Sequence, residues 1–237
     1  MDLPHHAAYI QHVLARKQQI DTIVKNALAR TNQDHEVRVI AVTKYIQDDK
    51  ARLLPLAGIT DCGENRWQVA KPKIEQNLPV AWHFIGPVQM NKAKKVAQHF
   101  DFVHSVDSKE LIAALDRHAG AASRSLSVLL QVNISQEPQK SGVDPEKLLE
   151  LAKYCLQQQH VQFIGLMMIG TRQDDVAKTR QEFQALRELR ADLPQRLSLS
   201  KLELSMGMSN DFEVAVEEGA SMIRIGRFLV LEENPRT

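Results

Sequence analysis

Eight short apolar runs, nearly all followed by a stretch with helical periodicity, constrain this chain more than any other feature. They cover 37–43, 60–62, 80–85, 102–106, 127–133, 162–168, 202–205 and 221–225. Val37-Arg-Val-Ile-Ala-Val-Thr43 is typical, β-branched and without clean alternation, and reads as a strand buried on both faces. Strands of this kind that alternate with helices form a parallel sheet. Eight of them favour a closed (β/α)8 TIM barrel, with an open doubly wound sheet as the alternative. Ahead of the first strand, Ile10, Val13, Leu14, Ile20, Ile23, Val24 and Leu28 recur at three- and four-residue intervals, which predicts an extra N-terminal helix over 5–31. Further helices are expected at 48–57, from after Asn65 to about Gln76, at 91–99, from Asp107 or Ser108 to about His118, at 144–158 and at 174–190. No linker or low-complexity segment interrupts the 237 residues, so one domain is expected over 1–237.

Composition narrows the function classes. A formal charge of +1, with no basic half, argues against nucleic acid as a partner. Cys62 and Cys155 cannot build a disulfide framework, and no Cys/His cluster has the spacing of a zinc site. Met-Asp-Leu-Pro-His-His does not open a secretory signal, and no apolar stretch approaches membrane-spanning length. A cytoplasmic setting with no membrane association is expected.

In a barrel, polar residues at the C-terminal strand ends surround the mouth, where function resides. Those positions here hold Lys44, Asn65, His83, Ser105, Asn133, Met167, 205–209 and 224–226. Ser205-Met-Gly-Met-Ser209-Asn-Asp-Phe-Glu213 reads as a strand end, a turn and a helix start, with Ser209 or Asn210 available to cap. Ser221 to Ile225 is the last strand, ended by Gly226. Two such strand ends, with backbone N–H groups and a hydroxyl beside them, make an anion cradle where barrels most often bind phosphate.

Lys44 follows Val-Ile-Ala-Val and is expected half inside the barrel, where desolvation favours the free amine that an imine with an aldehyde phosphate requires. The alternative is an ordinary lysine reaching solvent past the strand end. Arg224, between Ile223 and Ile225, points into the barrel, toward a ring nitrogen or acid of a ligand or into a buried ion pair. Gly226 allows close backbone approach to an anion or simply turns the chain. His83 donates to a ligand or satisfies a core carbonyl, and Asn65 faces the ligand or caps the next helix. Asn91-Lys-Ala-Lys-Lys95 is a basic helix start, a solvated face or a docking point, and Lys140-Ser-Gly142 is an exposed loop near the mouth.

Taken together, Ala41-Val-Thr-Lys44, Gly63-Glu-Asn65, Trp82-His-Phe-Ile-Gly86-Pro with Gln89 and Asn91-Lys92, Gln131-Val-Asn133-Ile, Lys140-Ser-Gly142, Gly165-Leu-Met167, Leu204 through Glu213 and Arg224-Ile-Gly226 carry a resemblance that runs nearly the length of the chain. The sequence resembles the pyridoxal 5′-phosphate homeostasis proteins, whose domain is similar to the barrel domain of alanine racemase. The resemblance implies that Lys44 holds pyridoxal 5′-phosphate as an internal aldimine, that Ser209 and the backbone at Gly226 and Arg227 hold the phosphate, that Arg224 faces the pyridine nitrogen, and that His83 and Asn65 line the pocket. A cation at the ring nitrogen disfavours its protonation and weakens the ring as an electron sink. The chain departs from the family pattern at Thr43-Lys44-Tyr45, where Ser-Lys-Thr is usual, at Arg66-Trp67, where a tyrosine often follows Gly-Glu-Asn, at Arg227, where many members carry threonine, and in the tail from Val230.

The function so implied is a protein that binds, buffers or delivers pyridoxal phosphate without turnover, with dependent apo-enzymes as candidate partners and a monomeric state. An amino-acid racemase using Lys44 as base is the alternative. Two-base racemisation needs a second residue from a separate β-domain, for which about ten residues after the last strand leave no room.

Overall fold

The structure, a computed structural model, describes residues 3–135, 141–171, 175–199 and 201–232. A long helix α1 (Leu3–Arg30) comes first. Eight strands follow: β1 (Arg38–Val42), β2 (Asp61–Glu64), β3 (Ala81–Phe84), β4 (Phe102–Val106), β5 (Leu126–Gln131), β6 (Val161–Met167), β7 (Glu203–Ser205) and β8 (Met222–Ile225). Every neighbouring pair is parallel, and β8 returns to β1, closing the barrel. The (β/α)8 barrel with an extra N-terminal helix is therefore the observed architecture, and the open sheet is set aside. The helices that follow β1 to β8 in turn are α2 (Asp48–Ala51), α3 (Trp67–Ile74), α4 (Ala93–His99), α5 (Lys109–Gly120), α6 (Leu148–Leu156), α7 (Val176–Leu197), α8 (Phe212–Glu217) and α9 (Arg227–Val230).

Most expected boundaries hold to within three residues, and the departures have local causes. The 48–57 helix splits into α2 and a 3-10 turn at Leu54–Ala57, where Pro55 removes a donor and Gly58 turns left-handed at φ 73°. The 144–158 helix likewise opens with a 3-10 turn behind Pro145. α7 runs seven residues past Arg190 and carries Pro194 within it. The expected start of that helix, Asp174, lies outside the described residues; Asp175 caps α7 by accepting from the Lys178 N–H. At α5 the cap is Ser108, not Asp107.

The main core lies between barrel and helices, and a smaller cluster of Ile40, Leu129, Met167 and Met222 fills part of the interior. Cys62 and Cys155 are buried in the main core as free thiols, and burial raises both, Cys155 to about 12. Register fixes which residues face inward, because side chains alternate along each strand. Ile40 pairs with Arg224, Gly63 with His83, and Met167 with Ser205, so these positions share the interior. α1 closes part of the outside: the Tyr9 hydroxyl donates to the Val230 carbonyl, and Arg30 pairs with Glu213 and Glu217 of α8. Among the described residues no helix is long and apolar enough to cross a membrane.

Candidate functional site

At the C-terminal end of β1 the chain tightens into a 3-10 turn, Thr43–Tyr45, which carries Lys44. This turn is held from beneath. Lys73 of α3, wholly buried, donates to the Thr43 carbonyl at 2.7 Å and to Glu64 Oε1 at 2.6 Å. The Thr43 hydroxyl donates to the same carboxylate oxygen at 2.6 Å. The turn that presents Lys44 is thus tied to the end of β2 by charge-assisted bonds. Lys44 itself is exposed at the mouth, further out than the expected half-buried position, because the 3-10 turn lifts it off the line of β1.

The Lys44 ammonium lies 4.9 Å from the centroid of the Tyr45 ring. The Arg227 guanidinium, at the start of α9, lies 5.8 Å from the same centroid. That ring rests on Gly226, where an added Cβ would come within 2.8 Å of Tyr45 Cε2. Lys44, Gly226 and Arg227 therefore converge on one aromatic surface between the ends of β1 and β8. α9 begins at Gly226 with no side chain capping its first turn. Ser209 is half buried in the turn after β7; the cap of α8 is Asp211, so the expected capping role of Ser209 is not taken and its hydroxyl is not committed to that helix. Gly207, at φ 91°, lets this turn fold against Phe212 and Ala215, and its carbonyl accepts from the Arg224 N–H at 3.0 Å.

Arg224 is buried inside the barrel. Its NH1 donates to Ser205 Oγ at 2.7 Å and its NH2 to the Met168 carbonyl at 2.9 Å. Among the described residues no carboxylate forms an ion pair with it, so the buried ion pair is not its arrangement. Burial draws its guanidinium down to about 10, against the opposing charge of Asp211. Met168 also lines a cavity of about 400 Å³ at the mouth, together with Ile85, Asn133, Thr171 and Glu182.

His83 sits deeper than a mouth position. It is fully buried and stacked on Phe102, with Nε2 2.9 Å from Asp61 Oδ1 and Nδ1 2.9 Å from His104 Nε2. His104 Nδ1 in turn lies 2.8 Å from Ser205 Oγ. His83 thus meets the site through His104, Ser205 and Arg224, with both ring nitrogens occupied. Asn65 is half buried after β2 and does not cap α3, whose cap position is Arg66 without a side-chain bond. Its backbone packs on Gly86, where a Cβ would fall 2.5 Å from the Asn65 carbonyl oxygen.

Reading the sequence did not single out Asp61, Glu64, Lys73, His104 or the side-chain role of Ser205. His104 had a usable signal, a polar residue at an inward position of an apolar strand. Lys73 had none, since a lysine in a helix normally faces water. Lys140 of the Lys140-Ser-Gly142 loop lies outside the described residues; the Ser141 carbonyl accepts from Gln131 Nε2 at 3.0 Å, and Gly142 takes φ 125° against the backbone of Asn133. Among the described residues no group of His, Cys, Asp and Glu could hold a metal ion.

Comparison with known proteins gives a consistent placement. The family described as "Alanine racemase, N-terminal domain" matches residues 18–233. A pyridoxal phosphate homeostasis protein of Pseudomonas aeruginosa is 42% identical over 195 residues, covering 81% of this chain and 83% of its own. The structure of PipY of Synechococcus elongatus with PLP bound superposes with a TM-score of 0.77 at 39% identity, over 87% of this chain and 99% of that one. Alanine racemase of Clostridium difficile shares the fold, with a TM-score of 0.74 at 13% identity over 95% of this chain and 58% of that one.

Proposed function

Because the chain belongs to the pyridoxal phosphate homeostasis proteins, we propose that it binds pyridoxal 5′-phosphate at the barrel mouth and buffers or delivers it without turnover of its own. The observation that carries this reading is the convergence of Lys44, Gly226 and Arg227 on the Tyr45 ring. A primary amine stands there beside an uncapped helix start and a second cation, and the Ser209 turn follows β7, the strand next to β8. That donor set suits a ligand with an aldehyde at one end and a dianion at the other. When bound, the cofactor supplies a carbonyl that captures amines and a ring that can accept electrons.

The chain's own residues then divide the work. Lys44 offers the amine, and the Lys73–Glu64–Thr43 tie keeps its turn in place. Ser209, the backbone at Gly226 and Arg227, and the Arg227 charge hold the phosphate. Arg224 presents a donor to the ring nitrogen, and Asn65 borders the pocket. His83 acts from beneath through its partners. A donor that stays charged next to the ring nitrogen keeps that nitrogen unprotonated, which suits storage better than carbanion chemistry. The reading also takes the chain as a single cytoplasmic barrel domain over 1–237, monomeric, with dependent apo-enzymes as recipients. The basic start of α4 at Lys92, Lys94 and Lys95 is the candidate docking point.

The test is to load the full chain with pyridoxal phosphate, mix it with an apo-enzyme that requires the cofactor, and follow recovery of that enzyme's activity. In parallel, the optical rotation of L-alanine is followed with the loaded chain. Cofactor transfer with a flat rotation trace is expected. Steady-state turnover of an amino acid that disappears in Lys44→Ala would replace this reading with the racemase.

A further inference from the structure

Inside the barrel, Arg224, Ser205, His104, His83 and Asp61 are joined end to end by hydrogen bonds. The direction of every bond follows from one chemical fact. A guanidinium has donors and no acceptor, so Arg224 NH1 donates to Ser205 Oγ at 2.7 Å. Among the described residues that hydroxyl has one other partner, His104 Nδ1 at 2.8 Å, so the hydroxyl proton goes to His104. His104 Nδ1 is then the bare nitrogen of a neutral ring, and Nε2–H donates to His83 Nδ1 at 2.9 Å. By the same step His83 Nε2–H donates to Asp61 Oδ1 at 2.9 Å, and a carboxylate accepts.

We infer that Ser205, His104, His83 and Asp61 form a one-way hydrogen-bond relay, with both histidines neutral and protonated on Nε2, that fixes Arg224 as a donor at the barrel mouth. The reverse direction is blocked. A proton on His104 Nδ1 would make Ser205 Oγ accept twice and leave its own proton without an acceptor in a fully buried site. A cationic ring has the same effect. The relay also spans the barrel: Asp61 opens β2, beside Arg38 at the start of β1, whereas Arg224 and Ser205 stand near the C-terminal ends of β8 and β7. Asp61 is held at its far end by Thr60 Oγ1 at 2.7 Å and by Arg38 NH1 at 3.4 Å. The charged groups facing the rings are Asp61, Arg38 and Asp101 for His83, and Arg224 and Arg38 for His104. Burial disfavours the cation at both rings, most strongly at His104.

With Ser205 on one side and the Met168 carbonyl on the other, Arg224 has two fixed anchors. Ser205, His104, His83 and Asp61 are thus positioning residues that act through Arg224. Their consequence at the cofactor rests on the reading above, in which Arg224 meets the ring nitrogen.

Two arms separate the relay from that reading. In the first, long-range 15N–1H spectra of the imidazoles are recorded on the full chain without cofactor. Both buried rings should show a protonated Nε2 and a bare Nδ1, unchanged between pH 8 and 6. A ring protonated on Nδ1, or a cation at pH 7, overturns the relay whatever the protein binds. In the second arm, pyridoxal phosphate affinity is measured for Ser205→Ala and Ser205→Thr, with far-UV circular dichroism to establish folding. Ser205→Ala should weaken binding about tenfold, and Ser205→Thr, which keeps the hydroxyl, should stay within about threefold. Wild-type affinity in a folded Ser205→Ala overturns the positioning role. If the wild type itself takes up no pyridoxal phosphate, the cofactor reading fails, and the spectra of the first arm still decide the relay.

Discussion

Lys73 donates to the backbone carbonyl of Thr43 at 2.7 Å from a position with 1% exposure, tying helix α3 to the turn that carries Lys44. The same ammonium meets Glu64, which is also fully buried. Lys73→Met removes the countercharge and leaves a buried carboxylate held only by the Thr43 hydroxyl, which costs about 3–5 kcal/mol. The double variant Lys73→Met, Glu64→Gln should recover part of that loss, because the stranded charge is gone. Urea unfolding of the wild type, both single variants and the double variant measures the coupling. A Lys73→Met protein within 1 kcal/mol of wild type would contradict the tie.

Acid sensitivity follows from the two buried histidines. Burial lowers both His83 and His104 relative to their unfolded value of 6.5, His104 furthest. Below pH 6.5 the unfolded chain takes up protons that the folded chain refuses, so stability falls as pH drops through that window toward the folded values. Asp61 adds a second loss at lower pH. Burial alone would raise its carboxyl, but hydrogen bonds from His83 and Thr60 outweigh this and hold it below 3.8, so its contribution is lost as pH falls from there. With both histidines neutral in the fold, the stability slope below pH 6 should contain two protons from them, about 2.7 kcal/mol per pH unit at its steepest. In His104→Asn one of these is absent. Chemical unfolding at pH 7, 6 and 5 shows the difference; parallel slopes would contradict the neutral assignment.

Gly86 shows how closely the β2 and β3 ends approach at the mouth. A methyl group there would lie 2.5 Å from the Asn65 carbonyl oxygen and 2.8 Å from its Cα, which is backbone that cannot swing aside. Gly86→Ala should therefore destabilise the fold by about 1–3 kcal/mol and displace Asn65. Thermal unfolding gives the first quantity, and an unchanged midpoint would show that the loop gives way.

How much of this was legible in the sequence depends on where each cause lies. The strands were readable because each is a contiguous apolar run; their number favoured closure, and the pairing of β8 with β1 is what excludes the open sheet. Lys44 and Gly226 were readable as residues just beyond strand ends, since position along one strand is local information, whereas Arg227 entered only through the family resemblance. Their meeting on Tyr45 was not, because it needs the β1 and β8 ends to be neighbours across the closure. His83 showed only that it was polar in an apolar strand; that Asp61 and His104 engage both its nitrogens depends on the register of three strands. Lys73 looked like an ordinary helical lysine, and its burial is purely tertiary. Position relative to the strand line misled twice: Lys44 was expected half inside the barrel, and the 3-10 turn carries it outward, whereas His83 was expected at the mouth and lies deeper, between Asp61 and His104.

Arg227 is exposed, and exposed charges contribute little individually, about 0.2–1 kcal/mol. Arg227→Ala should accordingly weaken pyridoxal phosphate binding by no more than about fivefold and flatten its dependence on salt. A loss of a hundredfold would mean that Arg227 becomes enclosed on binding. Titrations at low and high ionic strength distinguish the two.

An absorbance titration decides whether Lys44 carries the cofactor, as proposed above. Pyridoxal phosphate is added to the wild type and to Lys44→Ala, and borohydride follows. The expected result is a visible band in the wild type that borohydride bleaches, with the reduced adduct recovered on the peptide containing Lys44, and no such band in Lys44→Ala. An equal band in both proteins, or an adduct on another lysine, would contradict it.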